Sequence, residues 1–111
     1  MAMDPSGFSI TASERNGRTV VVIRGELDLA TAPELERVIS ERLDAGDDVV
    51  VDLRELAFMD SSGLRVLVAA HTRIGSGRQQ FLIVRPPEDS PIARILSIAG
   101  LEGELNLIDD A

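Results

Sequence analysis

The spacing of apolar residues along the chain alternates between the periods of strands and helices. Apolar and small or polar residues alternate from Phe8 to Ala12, which predicts a half-buried strand. A second strand is predicted over residues 19–23, and Asn16-Gly17 between the two is a strong signal for a two-residue hairpin turn. The chain therefore begins with a predicted antiparallel hairpin, and we expect Gly25 to end its second strand.

A helix is predicted after this hairpin. Thr31 is suited to cap its N-terminus, Glu34 completes the pattern of a capping box, and proline at position 33 is tolerated in a first turn. The helix is expected to end near Gly46. Its apolar residues fall on one stripe: Leu35, Val38, Ile39 and Leu43.

The remaining pattern continues the alternation. Strands are predicted at Val49–Leu53 and Phe81–Val84, separated by a helix from about Leu64 to Ile74 that Gly75 or Gly77 ends. The apolar stripe of this helix is Leu64, Leu67, Val68 and Ile74.

A third helix is predicted to begin at Ser90-Pro91 and to stop at Gly100, with a last short strand within 105–108. Its apolar stripe is Ile92, Ile95, Leu96 and Ala99. Strands separated by helices imply right-handed crossovers between parallel neighbours. We therefore predict one α/β domain over residues 8–111, preceded by a disordered leader at 1–7. Its mixed sheet of about five strands has helices packed mainly on one face.

The amino-acid composition excludes several classes of partner. The net charge is -8, and the cations are 11 dispersed arginines without lysine, which argues against nucleic acid as a partner. No cysteine is present, which fits a reducing compartment. Apolar runs of about five residues fall far short of the ~20 that span a bilayer, so no membrane association is expected. We expect a cytoplasmic protein.

The segment Phe58-Met59-Asp60-Ser61-Ser62-Gly63-Leu64 is the most informative stretch. It places two hydroxyls at or beside a helix N-terminus, where free backbone N–H groups favour an anion such as a phosphate added to serine. An ordinary helix start explains the same residues: Asp60 is the N-cap, the serines fill the first turn, and Gly63 allows close packing. From these seven residues alone, that ordinary interpretation is favoured.

Catalysis finds little support in the chain. A serine nucleophile needs a base within hydrogen-bond reach, but His71, the single histidine, lies nine residues beyond Ser62 on the same predicted helix, roughly 13 Å away. The carboxylates do not match an EF-hand, and a Walker loop needs a lysine. We expect no enzyme activity, no metal and no cofactor.

Two blocks of residues together resemble a known family. Gly25-Glu26-Leu27-Asp28, followed by the Asp60-Ser61-Ser62-Gly63-Leu64 block, resembles the STAS domains and more narrowly the bacterial anti-anti-sigma factors, or anti-sigma factor antagonists. The resemblance extends over about residues 8–108. It implies a sheet with helices on one side and a function in partner switching.

In that family, an anti-sigma factor that is also a serine kinase of the histidine-kinase-like ATPase type phosphorylates one serine of the motif. The unmodified antagonist binds the anti-sigma factor and frees the sigma factor, and a serine phosphatase resets the phosphorylated form. Matching the motif residue by residue implies phosphorylation at Ser62, with Ser61 as the fallback, and partner binding through Asp28, Asp60, Ser61, Ser62 and Gly63.

An alternative from a different class remains open: a STAS module that is never phosphorylated and serves as a structural subunit or small-ligand binder in a transport or sensing complex. Asp28 also has an ordinary interpretation as a turn residue after a strand. The oligomeric state stays open between a monomer and a weak dimer.

Overall fold

The computed structural model describes residues 7–101 and 103–111. Of the predicted leader, all but Gly7 lies outside these residues. Strands and helices follow one another in the order β1 Ser9–Arg15, β2 Arg18–Leu27, α1 Ala32–Asp44, β3 Val49–Asp52, β4 Leu56–Met59, α2 Ser61–Ile74, β5 Phe81–Val84, α3 Pro91–Ile98 and β6 Leu107–Ile108.

The predicted hairpin is present, but its second strand is longer than expected. Strands β1 and β2 pair antiparallel, and the positive φ angles of Asn16 (55°) and Gly17 (78°) identify a type I′ turn. The prediction that Gly25 ends β2 is wrong, since the strand continues to Leu27 with a register shift after Gly25. A Cβ at Gly25 would lie 2.7 Å from the carbonyl oxygen of Gly7, so glycine lets the two backbones approach without ending the strand.

The sheet confirms the predicted α/β architecture. Its strand order is β1-β2-β3-β5-β6, and all neighbours except the hairpin pair run parallel. The short strand β4 was not predicted, because its exposed middle residues, Ala57 and Phe58, give no buried apolar run. It pairs parallel with the end of β2 and brings the sheet to six strands.

The helices lie on one face of the sheet, as predicted. The buried residues of α1, α2 and α3 join the larger apolar core with Val21, Ile23, Val51 and Ile83 of the strands. Within the described part of the chain, the smaller cluster on the opposite face has no helical member, and its buried residues are Val20, Val50 and Val84. We call this opposite side the helix-free face.

Several predicted helix details need correction. The capping box at α1 is wrong, because the Thr31 side chain makes no capping hydrogen bond to the helix. Helix α2 begins at Ser61, three residues earlier than expected, and buries Val66 and Ala70, whereas Val68 is half-buried.

The third helix and the last strand follow the prediction more closely. Ser90 caps α3 as predicted by accepting a hydrogen bond from the amide of Ala93 at 3.1 Å. Ala99 is exposed just beyond the helix end instead of lying on its apolar stripe. Strand β6 is shorter than expected, because it consists of residues 107 and 108 alone.

A group of ion pairs lies at the end of β3 on the helix-free face. Asp52 is 4% exposed, and both of its carboxylate oxygens accept hydrogen bonds from Arg54, at 2.8 Å for the shortest. Arg54 also contacts Asp110 at 3.5 Å, and Arg24 pairs with Glu55 at 3.0 Å. Burial by itself raises the pKa of Asp52, but hydrogen bonds from Arg54 and the charges of Arg54 and Arg24 outweigh this effect, so its pKa lies below the usual value.

Candidate functional site

The site is built where two parallel strands end side by side. Leu27 of β2 is paired with Met59 of β4, and the amide of Asp60 donates a hydrogen bond to the carbonyl of Leu27 at 3.1 Å. The residues that follow these strands, Asp28 and Asp60, therefore lie at one edge of the sheet. The structure thus brings together the two carboxylates that the family resemblance had placed near the serine motif.

Asp60 joins β4 to α2. Its backbone is extended (φ −108°, ψ −171°), and its Oδ1 accepts a hydrogen bond from the amide of Ser62 at 2.8 Å. The predicted N-cap is therefore confirmed. This bond also alters the expectation for an added phosphate, because the Ser62 amide is already bonded to a carboxylate.

Asp28 folds the loop between β2 and α1. Its Oδ1 accepts hydrogen bonds from the amides of Ala30 at 3.0 Å and Thr31 at 3.2 Å. The hydroxyl of Thr31 is buried in the same turn, donating to the carbonyl of Glu26 at 2.8 Å and accepting from the amide of Asp28 at 2.9 Å. This turn explains why Thr31 does not cap α1, and it presents Leu29 to solvent with 78% of its surface exposed.

Gly63 lets α2 begin directly against the strand ends. A Cβ at this position would lie 2.6 Å from Cγ and Cδ2 of Leu27 and 2.9 Å from Cγ of Met59, both of them buried. Any larger residue would push the first turn of α2 away from β2 and β4. Gly63 is itself buried, so the first turn of α2, which carries both serines, packs against the ends of β2 and β4.

The two serines differ in their surroundings. Ser61 is exposed and Ser62 is half-buried, and neither hydroxyl takes part in a hydrogen bond among the described residues. Ser62 lies in an open groove of about 370 Å³ between the starts of α1 and α2. The other lining residues are Leu29, Ala32, Pro33, Glu36, Arg65, Val66 and Ala69.

Exposed apolar side chains flank the serines. Leu29 lies just after β2, next to Asp28. Phe58 lies in β4, two residues before Asp60, and is 42% exposed. Neither residue was among those expected to bind a partner, although Phe58 opens the serine motif in the sequence. The all-apolar sequence of 56–59 gave no indication that Phe58 is exposed.

Charge at this edge of the sheet is left unbalanced. Within the described ranges, 7–101 and 103–111, neither Asp28 nor Asp60 forms an ion pair. Arg65, which lines the groove at the start of α2, forms none there either. The edge therefore combines two uncompensated carboxylates with exposed apolar surface.

The remaining sequence candidates lie away from this edge. His71 is on α2, two and a half turns beyond Ser62, and its Nδ1 is buried without a hydrogen-bond partner in the described structure. Among the described residues, no group of three or more histidine and carboxylate side chains is placed to hold a metal ion. No helix in that part of the chain is long and apolar enough to cross a membrane.

Comparison with known proteins identifies the family. The STAS domain model matches residues 9–110. The anti-sigma-F factor antagonist RsfB of Mycobacterium tuberculosis is 33% identical over 104 residues, which cover 93% of this chain and 83% of that protein. The chain belongs to the STAS domain family.

Solved structures have the same fold. The crystal structure of an anti-sigma factor antagonist from Mycobacterium paratuberculosis matches with a TM-score of 0.84 at 26% identity, covering 98% of this chain and 92% of that one. The Bacillus cell fate determinant SpoIIAA in its phosphorylated form matches with a TM-score of 0.69 over 93% of this chain and 92% of its own. At 21% identity, that second match shows the fold alone.

Proposed function

We propose that this chain is an anti-sigma factor antagonist whose binding to an anti-sigma factor is switched off by phosphorylation of Ser62. The names of its relatives support the class of partner. The observation that carries the proposal is the hydroxyl of Ser62, which has no hydrogen bond among the described residues and lines a groove with Leu29 directly after the Asp60 cap.

The docking surface consists of Asp28, Leu29, Phe58, Asp60 and Ser62. Exposed apolar anchors contribute most of the affinity when they enter pockets of a partner, and surrounding charges set orientation and rate of association. Because Asp28 and Asp60 form no ion pair within the described structure, the complementary partner surface is apolar with a basic rim. The net charge of -8 favours approach to such a surface.

Phosphorylation changes this surface without disturbing the fold. A phosphate adds about -1.5 to -2 charges and three acceptor oxygens at Ser62. The positive dipole at the start of α2 offsets part of that charge, although the Asp60 carboxylate already occupies the amide of Ser62. Burying it against an apolar partner surface would cost several kcal/mol of desolvation, so the modified form does not dock.

The chain itself supplies no catalysis in this cycle. By its resemblance to the family, the partner is an anti-sigma factor serine kinase of the histidine-kinase-like ATPase type, and a serine phosphatase restores the unmodified form. The cycle takes place in the cytoplasm, where sigma factors engage RNA polymerase.

The assignment of the serine is tested by phosphosite mapping. Purified protein is incubated with ATP and an extract of the cells from which it comes, and the modified residues are mapped by mass spectrometry. We expect one phosphate on Ser62 and none in the Ser62→Ala variant. If the protein stays unmodified while an active antagonist added to the same extract is phosphorylated, the chain is a passive STAS module.

Binding is tested with three substitutions of one residue. Affinity for an anti-sigma factor from the same cells should be retained in Ser62→Ala and fall at least about tenfold in Ser62→Asp, a loss of about 1.4 kcal/mol. Ser62→Asn has nearly the shape of aspartate without its charge and should bind much more tightly than Ser62→Asp. Equal affinities of the asparagine and aspartate variants would mean that charge does not control docking.

A further inference from the structure

Arg65 is the cation that lines the groove beside Ser62. It is exposed, and in the described part of the chain its guanidinium has neither an ion pair nor a hydrogen bond. The other arginines of α1 and α2 are paired: Arg37 with Glu41 at 3.0 Å, Arg42 with Asp47 at 4.0 Å, and Arg73 with Asp44. Within the described residues, Arg65 is thus a cation without an ion pair at the place where the proposed function adds an anion, and Glu36, which lines the same groove, does not pair with it.

The helix geometry places Arg65 within reach of Ser62. Residues three apart on a helix are neighbours, with about 5–6 Å between their Cβ atoms. Long side chains on a helix point back toward its N-terminus, so that of Arg65 extends over the first turn of α2. Ser61, four residues before Arg65, is also within reach, but it does not line the groove.

The start of the helix leaves a phosphate on Ser62 little else to bind. The Ser62 amide is occupied by the Asp60 carboxylate at 2.8 Å, and this negative charge repels a phosphate at the helix end. Arg65 offers several N–H donors in a geometry that suits phosphate. We propose that Arg65 pairs with the phosphate of phosphorylated Ser62 and holds it across the mouth of the groove.

This inference rests on the proposed function and explains how phosphorylation prevents docking to a basic partner. Asp28 and Asp60 attract cations, and a freely rotating phosphate would strengthen that attraction. When the phosphate is paired with Arg65, part of its charge is neutralised, and it lies over the apolar groove next to Leu29 and Pro33. The groove is then covered from within the same chain.

The test measures the second pKa of the phosphate and needs no kinase. Full-length protein is made with phosphoserine genetically encoded at position 62, and the phosphate is titrated by ³¹P NMR. Because a neighbouring cation favours the dianion, Arg65→Gln should raise this pKa by about 0.3 of a pH unit, the size that an exposed ion pair supports. Arg78→Gln is the matched control: it removes the same charge from an exposed arginine beyond the end of α2 that, like Arg65, has no ion pair within the described residues.

The outcomes separate the inference from the function on which it rests. A raised pKa in Arg65→Gln together with an unchanged titration in Arg78→Gln supports the pairing. Titration of Arg65→Gln identical to that of the parent protein overturns it, as do equal shifts in both variants, which would reflect net charge alone. Failure of the proposed function appears elsewhere, as an unmodified Ser62 in cell extract.

Discussion

Two regions of this molecule have aspartates at the ends of strands, but only one of the regions pairs them with a cation. At the end of β3, Asp52 is buried on the helix-free face and both its oxygens are bonded to Arg54. At the ends of β2 and β4, Asp28 and Asp60 are bonded to backbone amides, with no ion pair among the residues described. The first region neutralises its charge internally, whereas the second leaves it facing solvent.

The difference shows how structure and docking are separated in a small domain. A buried carboxylate requires a cation and hydrogen bonds, because an unpaired charge away from water is costly. A carboxylate that caps a turn or a helix keeps its geometry through neutral amides and retains its charge for a partner. The Asp52 region should therefore control stability, and the Asp28 and Asp60 edge should control binding.

The largest effect is expected from removing Arg54, the half-exposed cation that pairs with the buried carboxylate of Asp52. Arg54→Ala leaves Asp52 buried without its partner and should lower the free energy of unfolding by about 3 kcal/mol. Arg37→Ala, which breaks the exposed pair with Glu41, should cost less than about 0.5 kcal/mol. Urea denaturation measures both. Equal costs would show that the partner of Asp52 contributes no more to stability than an exposed ion pair does.

Gly63 packs the start of α2, which carries part of the docking surface, against the core residues Leu27 and Met59. Gly63→Ala should lower the free energy of unfolding by about 2 kcal/mol, since overpacking against Leu27 outweighs a gain of about 1 kcal/mol in helix propensity. Gly103→Ala is a suitable control, because a Cβ there meets nothing within 4 Å. A stable Gly63→Ala protein would mean that Leu27 and Met59 move aside without cost.

Two substitutions at Asp60 separate its cap from its charge. Asp60→Ala should cost about 1 kcal/mol of stability through the lost cap, whereas Asp60→Asn, which caps equally well, should change stability by only about a few tenths. Both should weaken binding to the anti-sigma factor, because both remove the carboxylate. Parent-like binding by Asp60→Asn would remove Asp60 from the charged part of the docking surface.

The smallest effect is a change in the acid dependence of stability. Since the folded-state pKa of Asp52 is below its unfolded value of about 3.9, its contribution is complete above that pH and is lost as the pH falls toward the folded pKa. The unfolding free energy of Asp52→Asn should therefore decline less steeply below about pH 4 than that of the parent protein. Denaturation curves collected from pH 5 downward test this, and parallel declines would argue against it.

Local patterns in the chain predicted most of the fold. The Asn16-Gly17 hairpin, three helices, the buried strands and the caps at Asp60 and Ser90 all depend on residues close together in sequence, which is why they were found. Strand β4 was missed because only pairing with β2 makes its four residues a strand. The continuation of β2 past Gly25 depends in the same way on distant neighbours.

The candidate site was likewise predicted in part from the sequence and in part only from the folded structure. The motif around Ser62 and the acidic residues at 28 and 60 were evident in the sequence, together with the family they resemble. What the tertiary structure decided is their arrangement: the pairing of β2 with β4 brings the carboxylates to one edge, and the contact of Gly63 with Leu27 places Ser62 beside Leu29. Exposure and unpaired charge are properties of three-dimensional neighbours, so Leu29, Phe58 and the role proposed for Arg65 emerged only once the chain was folded.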